Sequence, residues 1–183
     1  FPKGATQDGG HNYHLDWRNL LGVCHGGSQK DVPDADWRFS ENKGDRSCDV
    51  PKGGKEITDR ILNPLKLPGN IRLFRYTEHN GRMYVDEETC PEELKWKAKN
   101  TIKELNLNAP RLMRMRKAVI DKLTDELMLA LAEGQGFDET LEWLAESFLL
   151  PDHKNRSIPF FTVIRWYLGE AAEKLISNSG TKL

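Results

Sequence analysis

Asp16, Asn19, Cys24, Cys48, Asp49 and Lys52 are of types, and at spacings, that can hold metal ions and a phosphate. They stand in the order Asp-x-x-Asn-Leu-Leu, then Cys, then, after 23 intervening residues, Cys-Asp-x-x-Lys-Gly. A carboxylate and an amide oxygen are hard donors suited to Mg2+ or Mn2+, ions that keep coordination positions for water and phosphate oxygens. Thiolates suit Zn2+ instead, so one segment can carry two kinds of site. The plainer reading of the same residues makes Asp16 a helix cap, Asn19 a turn residue and the cysteines small buried hydrophobes. Asn19 can ligate or orient but cannot serve as a general base, because its amide does not titrate in a useful range.

These residues need a scaffold, and 183 residues with 38% hydrophobic content suffice for one globular unit or a small module joined to a larger helical one. Three cysteines, Cys24, Cys48 and Cys90, are too few and too unevenly placed for a disulfide framework, which points to ligands or buried thiols in a reducing compartment. No run of 18 apolar residues and no charged-then-apolar leader is present, so the expectation is a soluble cytoplasmic protein without membrane contact. A formal net charge of −1 argues against coating nucleic acid by bulk charge. Locally, however, Lys95, Lys97, Lys99, Lys103, Arg111, Arg114, Arg116 and Lys117 face only one acid, Glu104. That cluster can track a phosphate backbone or an acidic partner; the alternative is two solvated helix faces.

The elements divide near residue 70. Residues 1–70 are rich in Gly, Asp, Pro and Lys, whereas 71–183 read as a hairpin followed by helices. "IRLFRYTEHNGRMYV" alternates apolar and polar residues around Asn80-Gly81, predicting strands over about 71–77 and 82–85 joined by a tight turn. "TCPEE" predicts a helix capped by Thr89, with Glu92 completing a capping box, that runs to about Leu105. A second helix is expected with Asn108 as cap, Pro110 in its first turn, and Leu112, Met115, Val119, Leu123, Leu127 and Leu131 on one core face until Gly134. Asp138 is expected to cap a third, which carries Leu141, Leu144, Ala145 and Phe148 and ends at Pro151. Pro159 is expected to start a fourth, with a frayed tail from Ser177. Trp143, Trp166 and Tyr167 have apolar helical neighbours, which places them in the core.

"LDWRNLLGVCHGG" followed by "CDVPKGG" resembles the HNH endonucleases, the ββα-metal nucleases. Within them it looks like the insertion-bearing group that includes PtuB, the HNH component of Septu anti-phage systems and of related retron systems. The hairpin "FRYTEHNGRMYV", the stretch "LNLNAPRLMRMRKAV" and the terminal "PFFTVIRWYL" look like that group's continuation. The resemblance implies an α+β, mainly α fold: an HNH ββα-metal finger with its first strand missing, a β-hairpin, and a C-terminal bundle of about four helices. It implies that residues 1–70 are a nuclease core with an insertion, and 71–183 a hairpin and helical partner-docking region.

Position by position, Asn19 matches the family's central Asn, which shapes the catalytic metal site. Asp49 falls where the family places its third motif residue, as a ligand of Mg2+ or Mn2+ or as a ligand orienter, and Asp16 braces the turn that presents Asn19. Lys52 matches a basic residue that contacts phosphate, and Lys95, Lys97, Lys99, Arg111 and Arg114 are expected to add nucleic-acid contacts. Cys24 and Cys48 match half of a structural zinc knuckle. The family's general base is a His that in this group directly precedes a Phe-Pro-Lys-like stretch. That base and the first Cys pair are therefore expected upstream of Phe1, while His11 and His14 read as loop or surface residues and His25 as a lesser metal candidate. Implied partners are an ABC-type or SMC-like ATPase, nucleic acid (DNA foremost), and a retron reverse transcriptase with its nucleic acid. The competing reading is a zinc-stapled scaffold that binds a partner ATPase or nucleic acid without cutting it.

Overall fold

A computed structural model describes residues 26–28, 30–31, 39–67, 71–150 and 159–179. Among them the fold is mainly helical, built on one two-stranded antiparallel hairpin, β1 (Phe74–Tyr76) and β2 (Met83–Val85). Phe74 pairs with Val85, Arg75 with Tyr84 and Tyr76 with Met83. Strand alternation therefore buries Tyr76, Met83 and Val85 and turns Arg75 and Tyr84 outward. The connection is residues 78–81, the tight turn expected around Asn80-Gly81, with Gly81 at φ 68. Gly81 N–H donates to Thr77 O at 2.8 Å and Thr77 N–H to Arg82 O at 3.0 Å, closing a four-residue loop. Asn80 Oδ1 accepts from Arg82 N–H inside it at 2.9 Å.

A single turn, α1 (Asp49–Lys52), precedes the hairpin, and four longer helices follow it among the described residues: α2 (Glu92–Glu104), α3 (Pro110–Ala132), α4 (Phe137–Leu149) and α5 (Phe161–Ser179). Pro110 opens α3 as its type predicts. Gly134 closes α3, its N–H on Leu131 O at 3.1 Å and that of Gln135 on Ala130 O at 3.0 Å, the bond pair of a Schellman motif.

The expected side-chain caps are used elsewhere. Thr89 Oγ1 donates to Arg72 O, and α2 begins after Pro91. Asn108 turns back to the hairpin: its Oδ1 accepts from Met83 N–H at 2.8 Å and its Nδ2 donates to Met83 O at 2.9 Å. The carboxamide thus supplies the donor and acceptor that a third strand would offer to the edge of β2. α4 begins one residue before Asp138, with Gly136 at its cap position, and α5 begins at Phe161 rather than Pro159.

The core joins three groups of side chains. Leu123 and Leu127 of α3 pack with Leu144, Ala145 and Leu149 of α4 and with Ile164, Leu168 and Ala172 of α5. Leu62, Leu73, Val85, Cys90 and Ala98 seal the hairpin against α2. Tyr76, Met83, Ile120 and Val163 connect the hairpin to α3 and α5. Full burial of a side chain such as Leu144 or Ile164 stabilises the fold by about 1.5–3 kcal/mol.

Trp166 lies edge-on to Tyr76 at 5.7 Å, and Tyr167 is half-buried beside Thr124. Trp143, expected in the core, is instead half exposed, because α4 buries Thr140, Leu144, Ala145 and Leu149 and the next position on the outer side is Trp143. Gly169 interrupts α5 at φ 54 and ψ −122, a conformation suited to a residue without Cβ. Across that kink the buried Arg165 grips Glu173 with two parallel bonds, Nε to Oε1 at 2.8 Å and one terminal nitrogen to Oε2 at 2.6 Å. Among the described residues, no helix is long and apolar enough to cross a membrane.

Candidate functional site

The motif's second half is held by the junction between α2 and α3. Cys48 sits at φ 63, left-handed for a residue with a Cβ, and its N–H donates to Leu105 O at 2.9 Å. Ser47 is fully buried; its N–H donates to Gly26 O at 3.0 Å and its hydroxyl accepts from an Arg111 terminal nitrogen at 2.8 Å. Asn106, also left-handed at φ 46, donates from Nδ2 to Gly44 O and Arg46 O, both at 2.8 Å. Side-chain donors of a distant helix junction thus satisfy the carbonyls and hydroxyl of a segment with little regular structure of its own.

The same arrangement explains a glycine behind Cys24. A Cβ on Gly26, at φ 58, would lie 2.3 Å from Ser47 O and 2.6 Å from Val50 Cγ2. The two halves that the sequence separates by an insertion therefore touch at Gly26 and Ser47, next to Cys48 and the start of α1. Lys52 ends α1 half-buried, and Gly53 follows at φ 56.

Asp16, Asn19, Cys24, His11, His14 and His25 lie outside the described residues, and of Asp49 only the backbone, at the start of α1, is described. Among the described residues no group of three or more His, Cys, Asp or Glu is placed to hold a metal ion. Cys48 is half-buried, with its Sγ 3.8 Å from Ser47 Oγ, and its thiol is the donor type zinc takes. Cys90 differs: it is buried among Leu62, Leu73 and Val85, and burial pushes its thiol up from the ordinary range, which suits a packing residue.

The basic run from Lys95 to Lys117 does not form one charged face. Lys95 bonds Glu92 at 2.8 Å and Glu87 at 3.3 Å, and Lys99 bonds Glu87 at 3.1 Å. These bonds from Lys99 and Lys95 hold the Glu87 carboxyl below its ordinary range. Arg111, expected on an outer face, is 5% exposed and is spent on Ser47. Arg116 is buried as well, donating to Gly81 O at 3.2 Å and to Leu107 O, with Tyr76 beneath it at 5.6 Å. The buried seam of α3 is Arg111, Arg116, Ile120, Leu123, Leu127 and Ala130, so the apolar stripe is rotated and two guanidinium groups enter the interior. Arg114 stays exposed and Lys97 half-buried, and Lys117 pairs with Asp121.

The residues that sequence reasoning missed lie on the hairpin's outer face. Arg75, Arg82 and Tyr84 line an open-sided groove of 470 Å³ together with Lys99, Lys103 and Asn106. Strand alternation was the available signal: with Tyr76, Met83 and Val85 inside, Arg75 and Tyr84 must face out.

The chain is 32% identical over 137 residues to an Escherichia coli protein named "Retron Ec83 putative HNH endonuclease". The match covers 64% of this chain and 50% of that protein, so the chain spans about half the length of the curated relative it matches. No family model matches the chain, and no solved structure matches it. The likeness supports the resemblance to the HNH endonucleases.

Proposed function

We propose that this chain is part of a metal-dependent HNH endonuclease that cleaves nucleic-acid phosphodiester bonds within a prokaryotic anti-phage defence complex. The observation that carries the reading is the likeness over 137 residues to a protein named as an HNH endonuclease of a retron. The tight clamping of Ser47 and Cys48, immediately before Asp49 and Lys52, supports it, since a cleavage site needs its donors held on a rigid frame. In this reading residues 1–70 supply the nuclease core of ββα-metal type, and 71–183 carry the hairpin and docking helices.

Asn19 and Asp49, as hard oxygen donors, hold Mg2+ or Mn2+, and Asp16 braces the turn. Cys24 and Cys48 hold a structural Zn2+. Lys52, at the end of α1, is a point charge for a phosphate oxygen. When bound, the divalent ion supplies positive charge against the phosphate and the departing 3′ oxygen. A general base beside the bound ion would take the proton from the attacking water, a role that the amide of Asn19 cannot fill. An ABC-type or SMC-like ATPase in the cytoplasm is the partner the helices would dock, and DNA the foremost substrate.

The test is cleavage of supercoiled plasmid by the full-length protein, with its partner and with Mg2+ or Mn2+. Metal-dependent nicking that Asn19→Ala abolishes, with folding and partner binding intact, supports both the activity and the site. Normal cutting by Asn19→Ala sinks the site assignment. No cutting by either protein, with zinc bound and the partner held, replaces the enzyme by the scaffold reading.

A further inference from the structure

From the groove between the hairpin and α2, we infer that the chain binds single-stranded nucleic acid there and leads it toward the Cys48–Lys52 segment. The inference rests on the nuclease reading for its destination, but the binding it describes is independent of cleavage.

Four cations and one carboxylate line this groove: Arg75, Arg82, Lys99 and Lys103 against Glu87. Lys99 is paired with Glu87, whereas Arg75, Arg82 and Lys103 are exposed and have no carboxylate partner among the described residues. In a protein whose net charge is −1, this is a local surplus of positive charge on a concave surface. Tyr84 is 41% exposed on the same face, with Arg82 over its ring at 5.7 Å. A row of cations beside an exposed aromatic ring is the combination that holds a single strand: the cations track phosphates and the ring stacks a base. A duplex keeps its bases inside and would leave the ring without a partner.

The groove is also joined to the candidate cleavage segment. Asn106 lines it and, through the same side chain, bonds Gly44 O and Arg46 O, and the adjacent Leu105 O accepts from Cys48 N–H. A strand lying along Arg82, Tyr84 and Lys103 is therefore delivered onto the backbone that positions Cys48, Asp49 and Lys52.

The experiment is fluorescence anisotropy of the full chain with a labelled 20-residue oligothymidylate, and separately with a 20-base-pair duplex, across a NaCl series without added divalent ion. Each phosphate contact on a single strand contributes a slope of about 0.7 to the fall of log affinity with log salt, so Arg75→Gln with Arg82→Gln is expected to lower the slope by about 1.4. Tyr84→Ala is expected to weaken oligothymidylate binding by about 5- to 150-fold, with Tyr84→Phe restoring it. Glu87→Gln is expected to tighten binding, which a merely structural role for the groove would not produce.

Wild-type affinity in the double arginine variant overturns the inference. So does absence of oligothymidylate binding at low salt, a duplex bound in preference with no effect of Tyr84→Ala, or equal competition by polyglutamate, which would mark an acidic protein surface as the ligand. Loss of binding in these variants, alongside a full-length protein that never cuts plasmid, would keep the groove and discard the nuclease.

Discussion

Gly81→Ala tests how the hairpin is pinned to α3. Gly81 sits at φ 68, and a Cβ there would stand 2.4 Å from Met113 O, 2.8 Å from Lys117 N and 3.0 Å from Arg116 Cβ. Left-handed backbone costs a residue with a Cβ about 1–2 kcal/mol, and forcing atoms into a packed contact adds about 1–3 kcal/mol. The expected loss is therefore about 2–5 kcal/mol. Gly134→Ala is the matched control: φ is 86, but nothing lies within 4 Å of the added Cβ, so only the backbone part of about 1–2 kcal/mol remains. At about 2–4 °C per kcal/mol for a chain of this size, Gly134→Ala should melt a few degrees low and Gly81→Ala about 4–20 °C low. Urea unfolding followed by circular dichroism at 222 nm measures both, and oligothymidylate anisotropy adds a second readout, since only the hairpin variant disturbs the groove. Equal destabilisation by the two substitutions would refute the claim that close approach to α3, rather than φ alone, demands glycine at 81.

Two further predictions concern buried charge. Arg111→Met removes a charged hydrogen bond to Ser47 worth about 1.5–3 kcal/mol, but also a buried guanidinium whose Nε has no partner, so the two effects largely offset and stability should move by less than about 2 kcal/mol. Thiol labelling of Cys48, followed by peptide mass spectrometry, should accelerate because the Ser47 hydroxyl loses its donor while the backbone bonds to Gly26 O and Leu105 O still hold the segment; an unchanged rate would remove Arg111 as one of its anchors. Burial opposes the charged form of Asp86, but the Arg72 guanidinium at 2.9 Å and the Glu88 N–H outweigh it and hold the carboxyl below its ordinary range. A lowered folded-state pKa contributes stability above the unfolded value of about 3.9 that is lost as pH falls through the folded one. The melting temperature of the wild-type chain should consequently drop more steeply than that of Asp86→Asn as pH falls below about 5, and parallel curves would contradict this.

Periodicity and punctuation carried much of the architecture. The hairpin around Asn80-Gly81, a helix ending near Leu105, and a long helix opened by Pro110 and closed at Gly134 all follow from spacing and from residues that only certain backbone conformations accept. Local rules work there because the interactions that define a helix or a hairpin are made between near neighbours in the chain. They fail where a polar side chain has equally good partners nearby and far away. Thr89 and Asn108 have the chemistry of helix caps, yet Arg72 O and the free edge of β2 claim them. Arg111 and Arg116 have the composition of a solvated face, yet Ser47 and the carbonyls of Gly81 and Leu107 draw them inside. The candidate site divides the same way. The sequence alone selects Asp16, Asn19, Cys24, Cys48, Asp49 and Lys52 by donor type and order. Only the tertiary structure brings Gly26 against Ser47, ties Cys48 to the α2–α3 junction and sets Arg75, Arg82 and Tyr84 beside Lys103, because those contacts join residues whose distance apart is decided by packing and not by their spacing along the chain.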